Sequence, residues 1–229
     1  MNKSINYPVY RLESDIEHKL KVIIFDLDNT LYPDELGVFP LIDARINSYM
    51  SQRLEIPKND VDALRRVYWK MYGATLQGLM LHHRADPEDF LQFVHDIDLI
   101  PVLKPDSTLN QALSSLQMHK VILTNASREH ALKVLKTLGV QNQFEHIFDI
   151  RTADYRPKPH KEPYLKVLDS LKLKSSECVM VDDLPDNLKT AKELGMHTVL
   201  IGEENGFPYV DCCLGRACGI EEVLHRLRP

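Results

Sequence analysis

Cysteine is scarce and poorly arranged for a structural job. The four that occur, Cys178, Cys212, Cys213 and Cys218, lack a paired C-x-x-C spacing, and a vicinal pair with two singles suits neither a disulfide framework nor a zinc site. The expectation is a reduced, cytoplasmic protein. Basic charge is also short: 28 lysines and arginines stand against 33 acids, a formal charge of −5, so no basic stripe is available to neutralise a nucleic-acid backbone. A nucleic-acid polymer is therefore not an expected partner, whereas one phosphate-bearing small molecule is admissible. Long hydrophobic runs are missing too, since none approaches the roughly 20 apolar residues of a membrane span. The opening MNKSINYPVYRLESDIEHKL has neither the apolar stretch of a secretory signal nor an Arg-rich amphipathic pattern, so no targeting or membrane segment is expected. Internal repeats and low-complexity tracts are absent as well.

What is present is ordinary globular material, 229 residues of which 44% are hydrophobic, enough for one large domain or a core with an insertion. Short runs rich in Val and Ile recur and end in polar residues: KVIIFD, HKVILTN, CVMVDD and HTVLIG. Apolar on both faces and separated by segments of helical period, they predict buried parallel strands alternating with helices in an open α/β sheet. Helices are predicted over Pro105–Gln117, Ser127–Leu138, Lys161–Leu171 and Leu184–Leu194, with Gly139 and Gly195 as stops. An edge strand near Val210 and a closing helix from Ile220 complete this part.

Between Pro33 and Leu103 the strand-like runs disappear and helical periodicity dominates. The division predicted is an α/β core of residues 1–32 and 104–229, with a helical insertion over 33–103. Within the insertion, helices are expected at Leu41–Leu54, Val61–Leu81 and Pro87–Asp96, the last capped by Asp86 with Pro87 in its first turn. The stripe Val61, Leu64, Val67, Tyr68 and Met71 is expected to form the core of this insertion.

Ligands of open parallel sheets bind beyond the carboxyl ends of the strands. The polar residues there are Asp26 and Asp28 after the first run, Thr124 and Asn125 after KVIL, and Asp182 and Asp183 after CVMV, with Lys158 arriving in YRPKP. Any one of these acids alone has a plain explanation as a helix cap. Acidic pairs at two strand ends of one sheet cost self-repulsion that a fold does not require, and a hard divalent cation with oxygen ligands relieves it. Magnesium suits such a site because it accepts one or two carboxylates and keeps positions for water and phosphate.

DLDNT from Asp26, LTN ending at Asn125, KP at Lys158 and VDD ending at Asp183 resemble, in order and spacing, the four signature motifs of the haloacid dehalogenase-like (HAD) hydrolases. The resemblance covers most of the chain and implies a Rossmann-like parallel sheet with helices on both faces and an inserted all-helical cap. It implies Asp26 as a nucleophile forming an aspartyl phosphate and Asp28 as general acid and base. Dehalogenase members lack an acid at the position of Asp28, so its presence implies phosphoryl transfer. Thr124 and Asn125 would then bind phosphoryl oxygens, Lys158 would offset charge on both partners, and Asp183 with Asp26 and the Asp28 main-chain carbonyl would hold Mg2+. Asp182 is implied as a second ligand or a water-holding neighbour, and Asn187 as its support.

The cap is expected to carry substrate recognition, with His82, His83 and Tyr72 as candidate substrate residues and Ser127 as another where a helix opens. LYP, MYGATLQGLMLHH and LKPDSTL resemble the pyrimidine 5′-nucleotidase branch, which implies nucleoside monophosphates such as UMP and CMP as substrates. A sugar-phosphate phosphatase or phosphomutase is the alternative within the family. A receiver domain shares clustered acids, Thr and Lys, but it is shorter and orders its motifs differently. A silent binding scaffold would have no need of both Asp26 and Asp28. The chain is expected to act as a monomer or homodimer on a small phosphomonoester.

Overall fold

The computed structural model describes residues 20–203, 206–224 and 226–227; the N-terminal stretch read above for targeting lies outside them except for Leu20. Among the described residues six strands form one sheet: β1 (Val22–Phe25), β2 (His119–Leu123), β3 (His146–Phe148), β4 (Cys178–Asp182), β5 (His197–Ile201) and β6 (Cys212–Leu214). Their order is β3-β2-β1-β4-β5-β6 and every neighbouring pair is parallel. Residues of β1 alternate between the two faces. Ile23 and Phe25 join one apolar core, while Val22 and Ile24 join the other.

Helices cover both faces, as the doubly apolar strands require. On the first, α5 (Ser107–Ser115), α6 (Arg128–Leu138) and the closing α9 (Ile220–Leu224) contribute Leu109, Leu113, Val134, Leu135 and Ile220. On the second, α7 (Lys161–Leu171) and α8 (Pro185–Glu193) supply Tyr164, Val167, Leu188 and Ala191. Each large aliphatic side chain buried this way stabilises the fold by roughly 1.5–3 kcal/mol before the entropy of ordering is counted.

Four helices lie between β1 and α5: α1 (Val38–Gln52), α2 (Lys58–Tyr72), α3 (Thr75–His83) and α4 (Pro87–Val94). They enclose a third core built on Tyr49, Met50, Val61, Tyr68, Leu79 and Phe90. Asp86 caps α4 as expected, accepting from the amides of Glu88 at 2.8 Å and Asp89 at 3.0 Å, with Pro87 at the start. Val38, Ile42, Ile97, Leu99 and Leu103, at the two ends of the inserted segment, pack instead into the first sheet core.

Three expectations need correction. The single helix predicted over Val61–Leu81 is broken into α2 and α3 at Gly73, whose φ of +82° stops α2. A side chain there would also collide with the other part of the molecule, since a Cβ would lie 2.7 Å from the Lys158 carbonyl oxygen. The predicted stripe is only partly core: Val61 and Tyr68 are buried, but Val67 and Met71 are 47% and 62% exposed, on the outer side of α2. β3 was not expected, being three residues long and half-exposed at the sheet edge. No described helix is long and apolar enough to cross a membrane.

Candidate active site

Phe25 pairs with both Ile122 of β2 and Val181 of β4, so the carboxyl ends of these three strands stand level. Asp26 remains on the ladder, its amide donating to the Val181 carbonyl at 2.9 Å. The next residues of each strand therefore converge without needing a flexible loop to carry them.

Lys158 is the hub. Its ammonium is 1% exposed and donates to Asp26 Oδ1 and Asp182 Oδ2, both at 2.7 Å. Burial alone would lower its pKa, but Asp182 and Asp26 outweigh that and hold the ammonium above the ordinary lysine range. Asn125 clamps its backbone, accepting from the Lys158 amide at 2.7 Å and donating to its carbonyl at 3.1 Å. Asp182 is saturated: besides Lys158 it accepts from Asn187 Nδ2 at 2.9 and 3.0 Å and from the Leu184 amide at 2.9 Å.

Asp26, Asp182 and Asp183 bring one oxygen each within 4.8 Å of the others. One lysine cannot neutralise three carboxylates. Burial first, then repulsion from Asp182 and Asp183, raises the Asp26 carboxyl well above its usual range despite Lys158. Burial and Asp182 likewise push Asp183 up to about 6. An all-oxygen donor set with unbalanced negative charge fits a hard dication, and it is Asp183, not the saturated Asp182, whose oxygens are the less committed. Thr30 sits between the two strand ends, with its Oγ1 3.1 Å from both Asp26 Oδ2 and Asp183 Oδ1 and accepting from the Asp183 amide at 3.1 Å.

Asp28 is bound differently. Its Oδ1 accepts from the Tyr32 hydroxyl at 2.5 Å and from His130 Nε2–H at 2.8 Å. Burial would raise its pKa, but the charge and hydrogen bond of His130, followed by the Tyr32 bond, bring it below the ordinary value. The Tyr32 phenol is raised in turn by burial and by Asp28.

A cavity of about 400 Å³ opens above this group. Asp26, Asp28, Thr124, Asn125, Lys158 and Asp183 lie along its floor. Its walls are Phe39, Ile42 and Ile46 of α1, Arg65, Arg66 and Trp69 of α2, and Phe90, Leu91 and Val94 of α4. Thr124 is 3% exposed, and its hydroxyl accepts from the Ala126 amide at 3.0 Å.

Four of the predicted site residues lie elsewhere. His82 and His83 hydrogen-bond the hydroxyls of Tyr72 and Tyr68 at 2.7 and 2.9 Å, because the break at Gly73 folds α3 back along α2. Tyr72, His82 and His83 thus form a small aromatic cluster that does not line the cavity, which corrects the substrate expectation placed on them. Ser127 is spent as the cap of α6, accepting from the His130 amide at 3.2 Å and pairing with His95 Nδ1 at 3.0 Å. Residues not singled out from the sequence are Thr30, Tyr32, His95 and His130. Thr30 and Tyr32 stand inside the quoted DLDNT and LYP strings, whereas the two histidines carry no local signal and meet only through tertiary packing.

The family model for haloacid dehalogenase-like hydrolases matches residues 20–195. Phosphate metabolism protein 8 of Saccharomyces cerevisiae is 28% identical over 201 residues, 79% of this chain. The match spans only 61% of that yeast protein. Glyceraldehyde 3-phosphate phosphatase of Methanocaldococcus jannaschii is 26% identical over 198 residues, covering 80% of this chain and 85% of its own length. Among solved structures, a HAD phosphatase from Thermococcus onnurineus superposes with a TM-score of 0.61 at 20% identity, over 89% of this chain and 97% of the other, a likeness of fold.

Proposed function

Because the chain belongs to the haloacid dehalogenase-like hydrolases, we propose that it is a magnesium-dependent phosphomonoesterase working through an aspartyl phosphate, with pyrimidine nucleoside 5′-monophosphates as substrates. The observation that carries this reading is the buried Asp26–Lys158 pair at 2.7 Å on the cavity floor, with the acid Asp28 two residues further on.

In the first step an Asp26 carboxylate oxygen attacks phosphorus, the ester P–O bond breaks, and the leaving oxygen takes a proton from Asp28. In the second, Asp28 removes a proton from water, the water oxygen attacks phosphorus, and the bond to Asp26 breaks to release inorganic phosphate. Asp28 is ionised before substrate arrives, which suits the second step. A dianionic ester placed beside it raises its pKa and favours the protonated form that the first step uses. Lys158 neutralises negative charge on Asp26 and on the phosphoryl group, and Thr124 and the amides following it receive phosphoryl oxygens. Asp26, Asp183 and the Asp28 main-chain carbonyl would hold magnesium, which would supply positive charge at the phosphoryl group. Asp182 and Asn187 serve as anchors for Lys158.

Residues 33–103 are proposed as the cap, a view supported by the separate core of α1 to α4 and by the cavity walls they provide. Apolar and aromatic walls with Trp69 and Arg66 suit a nucleoside better than a bare sugar, which needs dense hydrogen bonding. Phosphate release from a panel of nucleoside and sugar monophosphates, with magnesium and then with chelator, tests the proposal. Selective hydrolysis of UMP and CMP that stops with chelator is expected. A preference for sugar phosphates overturns the substrate, and turnover retained by Asp26→Asn overturns the mechanism.

A further inference from the structure

His130 lies just inside α6, 1% exposed, with its ring stacked on His95 at 4.5 Å between centroids and 23° between planes. His95 is itself tied to Ser127, so the ring packs against a group that is already anchored. Its Nε2–H donates to Asp28 Oδ1, the same oxygen that receives the Tyr32 hydroxyl. Neither donor engages Oδ2. A carboxylate held through one oxygen by a donor from its own loop and another from α6 cannot turn about its Cβ–Cγ bond without losing both bonds.

Packing alone gives no reason for an imidazole at this position. Its Nδ1 is buried and finds no hydrogen-bond partner among the described residues, a cost that leucine or phenylalanine would avoid. What a hydrocarbon cannot do is donate to Asp28. His130 is also absent from the lining of the catalytic cavity; it borders a second recess, with Ser127, Lys133 and Arg151, on its other side. Oδ1 is thus drawn toward that recess, and Oδ2 is the oxygen left for the substrate side.

Resting on the phosphatase reading above, we propose that His130 is a positioning residue, which fixes the rotamer of Asp28 so that Oδ2 faces the leaving oxygen of the ester. The residue touches no substrate and acts only through Asp28. Its effect therefore falls on the step in which the leaving oxygen needs a proton.

The test compares kcat/KM for UMP, an alkyl ester whose leaving oxygen needs protonation, with that for p-nitrophenyl phosphate, whose phenolate leaves without it. This ratio stops at the first irreversible step, transfer to Asp26, so water attack on the aspartyl phosphate does not mask the effect. His130→Leu is expected to lower the UMP value by about 100-fold and the p-nitrophenyl value by less than about fivefold. His130→Gln, whose amide nitrogen can reach Oδ1, is expected to recover at least about tenfold of the UMP loss. His130→Asn, equally polar but one methylene short, is expected to lose activity as leucine does. The Gln and Asn pair decides the matter where the leucine variant fails to fold. Equal losses on the two esters, no loss in a folded variant, or Gln no better than Asn would each overturn the proposal. Wild-type protein inert toward both esters overturns the phosphatase reading and this proposal with it, an outcome told apart from the others by the wild type alone.

Discussion

On the cavity floor three carboxylates and one ammonium lie close together, with the buried Asp182 behind them, and their oxygens are held by donors at 2.5 to 3.1 Å. Facing them, Phe39, Ile42, Ile46, Trp69 and Phe90 meet the same space with apolar surface. The difference teaches where atomic position matters. Directional charge-assisted bonds fix atoms to the tolerance that bond-making needs, whereas apolar walls select by shape and area and forgive small displacements. Changes to the floor should therefore act on kcat, and changes to the walls on KM.

The hardest blow to the floor is Asp26→Asn, which is expected to reduce kcat by at least about 10⁴-fold with the fold retained. A variant keeping a tenth of the activity on any phosphomonoester would break the assignment of floor to chemistry. Next comes the metal. Asp183, raised to about 6 by burial and Asp182, contributes stability below its unfolded value near 3.8 and loses it as pH rises through about 6. Metal-free protein is thus expected to lose melting temperature between pH 4 and 7, with a contribution from this group of about 3 kcal/mol at most. Magnesium binds the ionised form, so the Tm it adds should grow across the same window and vanish in Asp183→Asn. A magnesium increment equal at pH 5 and pH 7 would count against the site.

For the walls, Trp69→Ala is expected to raise KM about tenfold for the preferred nucleotide while kcat stays within about twofold. A kcat loss larger than the KM change, measured at saturating substrate, would blur the division between floor and walls. The smallest effect concerns the junction between α4 and the turn after β3, where Arg151 forks onto both oxygens of Glu88 at 2.7 and 2.8 Å. Hydrogen bonds from Arg151 and then Tyr155 hold Glu88 down to about 2, so this stabilisation is present above the usual glutamate range and fades as pH falls toward 2. Glu88 is 52% exposed, and solvent screening limits the contribution to about 0.5 kcal/mol. Urea titrations of Glu88→Gln at low and high salt should show that difference at low salt only.

The strands that carry the site were legible because β1, β2 and β4 are buried on both faces and announce themselves as unbroken apolar runs. β3 was not, since an edge strand with exposed His146 has no such run. The floor acids, Thr124 and Asn125 were legible because they lie at or just beyond strand ends, where register brings them together, whereas Lys158 arrives from the YRPKP loop. Asn125 and Asp182 stand out in the sequence as candidates, but their hold on Lys158 depends on distances that spacing does not encode. The histidines invert the expectation: adjacent His82 and His83 draw attention in the sequence yet pair with tyrosines, while His95 and His130, 35 positions apart, stack beside Asp28. Val38 and Ile42 share the helical spacing of the inserted segment yet pack, with Leu103, on the sheet, a partition that spacing does not encode.

The hydrogen at position 73 gives the helical layer a seat. With no methyl group in the way, the bend between α2 and α3 rests directly against the peptide that carries the buried ammonium. The helical layer thus touches the peptide whose side chain balances the charge of Asp26, and this contact joins Glu88–Arg151 and His95–Ser127 among the points where the layer meets the sheet.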